Sequence, residues 1–393
     1  MPGPKPLIYF DNASTSFPKP AAVAEAMVDF LSGGAVNPGR SGFDLSLEAG
    51  RMVDQVRSRL DRFFNNPAAD PDRAVFAANA TGALNLAIQG LCRPGDHVVA
   101  TVLEHNSVLR PLTMLQKAGI ITFDLVPCDA SGRVDPAAIA AVIAPGTRLV
   151  IMAHASNVCG AVQPIAEVGA LCRDLGVLFL LDAAQTAGLI PVDMTALQVD
   201  MVAFTGHKSL LGPTGTGGLI VGPDIDIPST CWGGTGVRSA LLEHPDDFPW
   251  RLEAGTLNTV GIAGLAAGMD WIAAKGINTI LEHERGLADR FLAGIAGLNN
   301  IEVHGYRQSH PTALGADHLP VISITVAGRP AEQVGLFLDA DWNIAVRTGL
   351  QCAPLAHEAM GTSPLGSVRF SFGIFNTTAE VDVAIAALED LAK

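Results

Sequence analysis

Of the six lysines in the chain, Lys208 alone stands just past the end of an expected strand, where glycines let the backbone tighten. It follows the apolar run DMVAF and leads into a glycine-rich tail, in AFTGHKSLLGPTGTGG (203–218). Lys5, Lys19, Lys117, Lys275 and Lys393 read as ordinary solvated cations in polar, terminal or helical surroundings. A surface-loop amine is the plain alternative for Lys208 as well. An amine desolvated at the end of a buried strand, however, loses its proton more easily and becomes a nucleophile or base.

Other strand ends carry polar groups that could join it. After AVFAA comes NATGALN, where Thr81 and Gly82 open a helix whose free N–H groups could hold a phosphate, or where threonine simply caps the helix. HVVAT leads into VLEHNS and His105, which is either structural or catalytic. VLFLLDAAQTAG closes an apolar run on Asp182, with Gln185 three residues on. That carboxylate is a helix cap or a buried acid that needs a partner. Thr205 and His207 flank Lys208. Together these give a phosphate cradle, an inward-facing acid, a flat imidazole ring and an amine at one sheet edge. Pyridoxal 5'-phosphate uses that set: hydroxyls and a helix N-terminus for its phosphate, a carboxylate for its pyridine nitrogen, a lysine for its aldehyde.

The elements that must position these groups alternate in type. Candidate strands are AVFAA (74–78), HVVAT (97–101), ITFDLV (121–126), RLVIMAHA (148–155), VLFLLD (177–182), DMVAF (200–204) and GGLIV (217–221). Nearly continuous apolar runs of this kind suit a sheet covered on both faces by helices, an α/β architecture. Residues 44–64 read as a long amphipathic helix. After about residue 257 come long helices near 260–297, the strand VISITVA (321–327), another helix and a final helical segment, TAEVDVAIAALEDLAK, the content of a smaller α+β domain. The 393 residues are 49% hydrophobic and 16% charged, with a formal net charge of −14. That charge argues against nucleic acid or an anionic membrane as the main partner. No segment reaches the length of a membrane span, and the cytoplasm is the default expectation. The six cysteines form no C-x-x-C pair and no disulfide framework, and most read as small buried hydrophobes. His357–Glu358 fails the H-E-x-x-H spacing because residue 361 is glycine, so no metal site is expected.

YFDNASTSFPKP, NATGALNL, EHNSVLRP, HASNVCGAVQPI, LDAAQTAG, TGHKSLLGPTGTGG, LEAGTLNT, VRTGLQCAPL and VRFSFGIFNT follow one another almost end to end. In this order the chain resembles the class V aminotransferase group of fold-type I pyridoxal phosphate enzymes, and within it the cysteine desulfurases with a short R-x-G-x-x-C-A-P segment. The resemblance implies a large domain (15–257) with a mainly parallel seven-stranded sheet between helices, and a smaller α+β domain (1–14 and 258–393). It implies that Lys208 holds the cofactor as a Schiff base and moves the substrate α-proton. His105 stacks on the ring and serves as acid or base, Asp182 pairs with the pyridine nitrogen, and Gln185 bonds the phenolic oxygen. Thr81, Gly82, Thr205 and His207 bind the phosphate. Thr256 reaches the phosphate of a neighbouring subunit in a homodimer. Asn157 lies beside cofactor and substrate, and Arg369, with Arg347 nearby, takes the substrate carboxylate. Cys352, read without the resemblance, is an inert helix-start residue or a nucleophile. The resemblance places it as the thiol that accepts sulfur as a persulfide. Related sulfur-mobilisation enzymes commonly carry histidines where this chain has Leu350 and Gln351. The expected function is a cysteine desulfurase that turns L-cysteine into L-alanine and passes sulfur to an acceptor protein or small thiol. A selenocysteine lyase or another pyridoxal-dependent C–S lyase is the alternative, and L-selenocysteine the alternative substrate.

Overall fold

The computed structural model describes residues 6–38 and 43–391, so Lys5, Lys393 and the outermost residues of the expected smaller domain lie outside the described residues. The seven expected strands form one sheet, in the order Ala74–Ala77, Gly217–Val221, Met201–Thr205, Leu178–Asp182, Thr147–Ala153, Asp96–Thr101 and Ile121–Val126. All neighbours run parallel except Gly217–Val221, which is antiparallel to both of its own. Side chains alternate across the sheet. Val99, Val150, Met152, Phe179, Leu181, Val202 and Phe204 enter one core. Val98, Ala100, Leu149, Ile151, Leu180, Met201 and Ala203 enter another on the opposite face. This double burial explains why the strands read as unbroken apolar runs. The run 148–155 ends as a strand at Ala153, and the next residues, His154–Asn157, turn along the sheet edge.

A second, antiparallel sheet has the order Arg347–Gly349, Ser367–Ser371, Val321–Val326, Ile301–His304. It packs with helices Ile277–Ile295, Ala331–Trp342 and Thr378–Leu391 around Phe291, Phe370, Val334 and Leu388. The N-terminal strand Ile8–Tyr9 lies parallel to Ile344–Ala345 beside this sheet. From there Asp11–Lys19 crosses to the carboxyl edge of the seven-stranded sheet, where Ser16 meets the backbone of His207 and Lys208. No single helix among the described residues is long and apolar enough to cross a membrane.

Candidate active site

The parallel strands end at one edge, and Thr205, Asp182, Ala153 and the turn after Thr101 meet there. A cavity of about 290 Å³ opens at that edge. It is lined by Thr81, His105, Asn157, Asp182, Gln185, Thr205, His207, Lys208, Arg347, Cys352 and Arg369, residues drawn from segments separated by up to most of the chain. Two expected site residues stand elsewhere. Gly82 does not line the cavity, and its N–H is taken by Asn79 Oδ1 at 2.9 Å. Thr256 is exposed on a separate cavity, beside the buried pair in which Arg57 meets Glu253 at 2.5–2.7 Å.

Lys208 sits in a tight turn. Gly206 N–H donates to Thr216 O, Gly212 N–H to Gly206 O, and Leu211 N–H to Lys208 O, each at 2.8 Å. The turn packs on Gly188, where a Cβ would stand 2.3 Å from Ser209 O. The N-terminal segment grips it from the other side. Thr15 Oγ1 (3.0 Å), Ser16 N–H (3.1 Å) and Lys19 Nζ (2.6 Å) all donate to His207 O, while Ser16 Oγ donates to Lys208 O at 2.9 Å. The expectation of a solvated Lys19 is therefore corrected. It is half-buried, and desolvation pushes its pKa down to about 8. Its sequence gave no warning, because the carbonyl it serves lies 188 residues away.

Desolvation likewise pushes Lys208 down to about 8, against the opposing charge of Asp182. Such an amine is partly free near neutral pH, the condition for a base or nucleophile. Asp182 is 7% exposed. Its Oδ1 accepts from Ala184 N–H at 2.9 Å, its one hydrogen bond among the described residues. Burial raises its pKa, and the Ala184 N–H and Lys208 oppose the rise.

His105 caps the helix Asn106–Lys117. Its Nδ1 accepts from Ser107 N–H at 3.0 Å and lies 2.7 Å from Ser107 Oγ. A ring nitrogen that accepts from a backbone amide carries no proton, so the neutral ring holds its hydrogen on Nε2. Burial first, then Lys208, Arg110 and Arg369, push this histidine down to about 4. Ser107 continues to Thr81, Oγ to Oγ1 at 2.7 Å. Ser107 is a lining residue that the sequence reading passed over, although it sits inside the quoted EHNS run. The helix Ala80–Leu91 starts at the cavity; Asn79 takes the Gly82 and Ala83 N–H groups, which leaves the Ala80 and Thr81 amides of its first turn for a ligand. Gly217 lets that start come close, since a Cβ there would lie 2.7 Å from Asn79 Cα. His207 Nδ1 is buried and has no hydrogen-bond partner among the described residues, and burial pushes this ring down to about 4. The cavity wall thus offers hydroxyls, a helix N-terminus, an orphaned imidazole nitrogen and a carboxyl.

Arg369, 2% exposed, donates to Asn157 O, Asp11 Oδ1 and Ser14 Oγ, each at 2.8 Å, and its Nε is buried without a partner. Asp11 and Ser14 belong to the quoted FDNAST run, but their link to Arg369 spans more than 350 residues and leaves no local trace. Arg347, in register with Arg369 on the next strand, is exposed at the mouth.

Cys352 is exposed and lies between the strand Arg347–Gly349 and the helix Pro354–Ala359. Gln351 (φ 40°) and Cys352 (φ 60°) are both left-handed, a conformation that costs a non-glycine residue about 1–3 kcal/mol. The turn is held nonetheless. Asn106 N–H donates to Cys352 O at 2.8 Å, and Asn157 Nδ2 to Gln351 O at 2.7 Å.

Beneath the site lies Glu104, wholly buried. Its Oε1 accepts from Thr101 Oγ1 (2.6 Å) and Ala153 N–H (3.1 Å), while Oε2 has no partner. Burial raises its pKa to about 8, with Asp182 adding to the rise. A folded-state pKa raised from 4.5 to about 8 contributes stability that is fully present below 4.5 and is lost as pH rises through 8. Glu104→Gln keeps the acceptor and removes the titration. Relative to wild type, the variant is expected to gain stability between pH 6 and pH 9, read as the difference in urea midpoints. Parallel pH profiles for the two proteins would refute a carboxyl protonated by burial.

The chain matches the aminotransferase class-V family over residues 8–383. A probable cysteine desulfurase of Methanothermobacter thermautotrophicus is 34% identical over 392 residues, 98% of this chain and 94% of that protein. A Yersinia pestis cysteine desulfurase is 32% identical over 99% of this chain and 94% of its own. Among solved structures, the apo cysteine desulfurase of Thermococcus onnurineus superposes with a TM-score of 0.90 at 32% identity, covering 98% of this chain and 94% of that one. An Escherichia coli cysteine desulfurase in an S-sulfonic acid form gives 0.85 at 28% identity over the same shares.

Proposed function

The chain belongs to the class V aminotransferase family, and from that membership we propose that it is a cysteine desulfurase working with pyridoxal 5'-phosphate, as the members of this family do. The carrying observation is one cavity that joins Lys208, Asp182, His105 and Arg369 to the exposed thiol of Cys352. The residues fit the cofactor. The unpartnered His207 Nδ1, with Thr81, Thr205 and the start of the helix Ala80–Leu91, suits a phosphate. Asp182, with one oxygen free of protein partners, suits a pyridine nitrogen. His105 lines the wall as a flat neutral ring, Gln185 and Asn157 line the cavity beside it, and Lys208 is the amine for the aldehyde.

Bound there, the cofactor supplies an electron sink for bond changes at the substrate's Cα and Cβ. Arg369, fixed by Asp11, Ser14 and Asn157 O, orients the substrate carboxylate, and Arg347 adds positive charge at the mouth. Lys208 takes the Cα proton, its lowered proton affinity suiting a base near neutral pH. The Cys352 thiolate attacks the substrate sulfur. An S–S bond forms, the C–S bond breaks with its electron pair left on Cβ, and protonation of Cβ together with return of a proton from Lys208 to Cα yields alanine. L-cysteine and one thiol become L-alanine and one persulfide, so this step needs no outside oxidant or reductant. An acceptor protein or small thiol then takes the outer sulfur. Thr256, far from this cavity within the chain, is assigned to the cofactor phosphate of a second copy in a homodimer.

The test is direct. Holoprotein supplied with L-cysteine and dithiothreitol should release alanine and sulfide in equal amounts. Pyruvate in place of alanine, or no product, would overturn the reading.

A further inference from the structure

Gln351 is a buried residue whose amide is used at every position that faces protein. Its Nε2 donates to Gly349 O at 2.6 Å and to Ser367 O at 3.0 Å, across the two strands that flank the Cys352 turn. Its Oε1 faces His357 Nε2 at 2.6 Å and Ser367 Oγ at 3.3 Å. With the amide nitrogen spent on two carbonyls, the oxygen is left to accept, so His357 must carry its proton on Nε2. His357 is wholly buried on the helix Pro354–Ala359, and its Nδ1 lies 2.7 Å from Thr362 Oγ1, which donates to it. Burial pushes this ring down to about 4, which keeps it neutral and its tautomer fixed. The chain Thr362–His357–Gln351 therefore ends on both strands of the hairpin that carries the thiol.

We propose that Gln351 and His357 are a positioning pair that holds Gln351 and Cys352 in their left-handed conformation and so keeps the thiol at the Lys208 cavity. The inference rests on the desulfurase reading. Neither side chain lines up as a reacting group: His357 does not border the cavity, and Gln351, which does, has its amide turned into the hairpin. A left-handed pair of non-glycine residues persists only where its surroundings over-determine it. Here the surroundings are this amide, the imidazole behind it, and the bonds from Asn106 and Asn157 to the two carbonyls. The thiol is thus presented by a braced turn rather than by a long free loop, since only Leu350 to Ala353 separate the strand from the helix.

The experiment uses holoenzyme and four proteins: wild type, H357L, H357Q and Q351G. Glycine adopts the left-handed conformation freely, so Q351G folds without strain while losing the amide. Glutamine at 357 keeps an N–H donor for Gln351 Oε1. Alanine formation from L-cysteine gives kcat and KM. Exchange of the Cα hydrogen of L-cysteine with deuterium reports the Lys208 step alone.

For H357L and Q351G, kcat is expected to fall about 100-fold, the scale of a misplaced reacting group. KM should stay within about twofold and Cα exchange should persist. H357Q is expected to recover most of the loss. Wild-type kcat in both H357L and Q351G overturns the positioning pair, and so does Cα exchange that falls in step with alanine formation. A wild-type holoenzyme that makes no alanine overturns the desulfurase reading itself, and this inference with it.

Discussion

Lys208→Ala is expected to abolish turnover, by on the order of 10³-fold or more, and to change the visible spectrum of the reconstituted protein. Two losses combine. Lys208 is the amine that lines the cavity and so the group suited to hold an aldehyde covalently there, and its pKa of about 8 suits a base near neutral pH. His105 cannot stand in, because its ring is pushed down to about 4 and its Nδ1 is committed to Ser107 N–H. A lysine pushed down to about 8 is increasingly unprotonated above that pH. Reconstitution of apoprotein with the cofactor should therefore speed up between pH 7 and pH 9 and then level off. Wild-type absorption and activity in Lys208→Ala would remove the basis of the whole functional reading.

The second large effect belongs to Cys352→Ala. Alanine and sulfide formation should drop by about two orders of magnitude or more, as when one member of a group of residues acting together is removed. Cα hydrogen exchange should survive, because Lys208, Asp182 and Arg369 are untouched. The thiol is exposed, so alanine at this position leaves no buried void and the protein should melt like wild type. If the variant keeps full activity on L-cysteine, the protein is a C–S lyase that needs no protein thiol. Running L-selenocysteine beside L-cysteine then shows which chalcogen that lyase prefers.

Much of this was legible in the sequence, for identifiable reasons. The central strands could be read because both faces are buried, which makes each a short apolar run that ends abruptly, whereas the edge strand Ile121–Val126 leaves Thr122 and Asp124 exposed. Leu178–Asp182 is the plainest case: four apolar residues, then a carboxylate at the sheet edge. The parallel arrangement gathers those ends, so reading them in order collected Thr81, His105, Asp182, Gln185, Thr205, His207 and Lys208 at one cavity, while Asn157 and Arg369 rested on the resemblance. What remained hidden depends on distance in the chain. Ile8–Tyr9 pairs with Ile344–Ala345, and two residues make no periodic signal. Asp11 and Ser14 acquire meaning only beside Arg369. Lys19 looks solvated until His207 O is brought to it. Gly82 suggested a free phosphate-binding amide, but Asn79 Oδ1 already occupies that donor. Gln351 registered only as a missing histidine, whereas the fold uses it as a brace.

The crossing of the N-terminal segment has a consequence for biosynthesis. Asp11 and Ser14 leave the ribosome more than 350 residues ahead of Arg369, which they must meet. The strand Ile8–Tyr9 likewise waits for Ile344–Ala345. The seven-stranded sheet, complete by Val221, can assemble while translation continues, whereas Asp11 has no guanidinium to meet until residue 369 has been made. A nascent chain arrested before residue 369 is therefore inert, and closure of such long-range contacts makes maturation of the site slower than formation of the sheet.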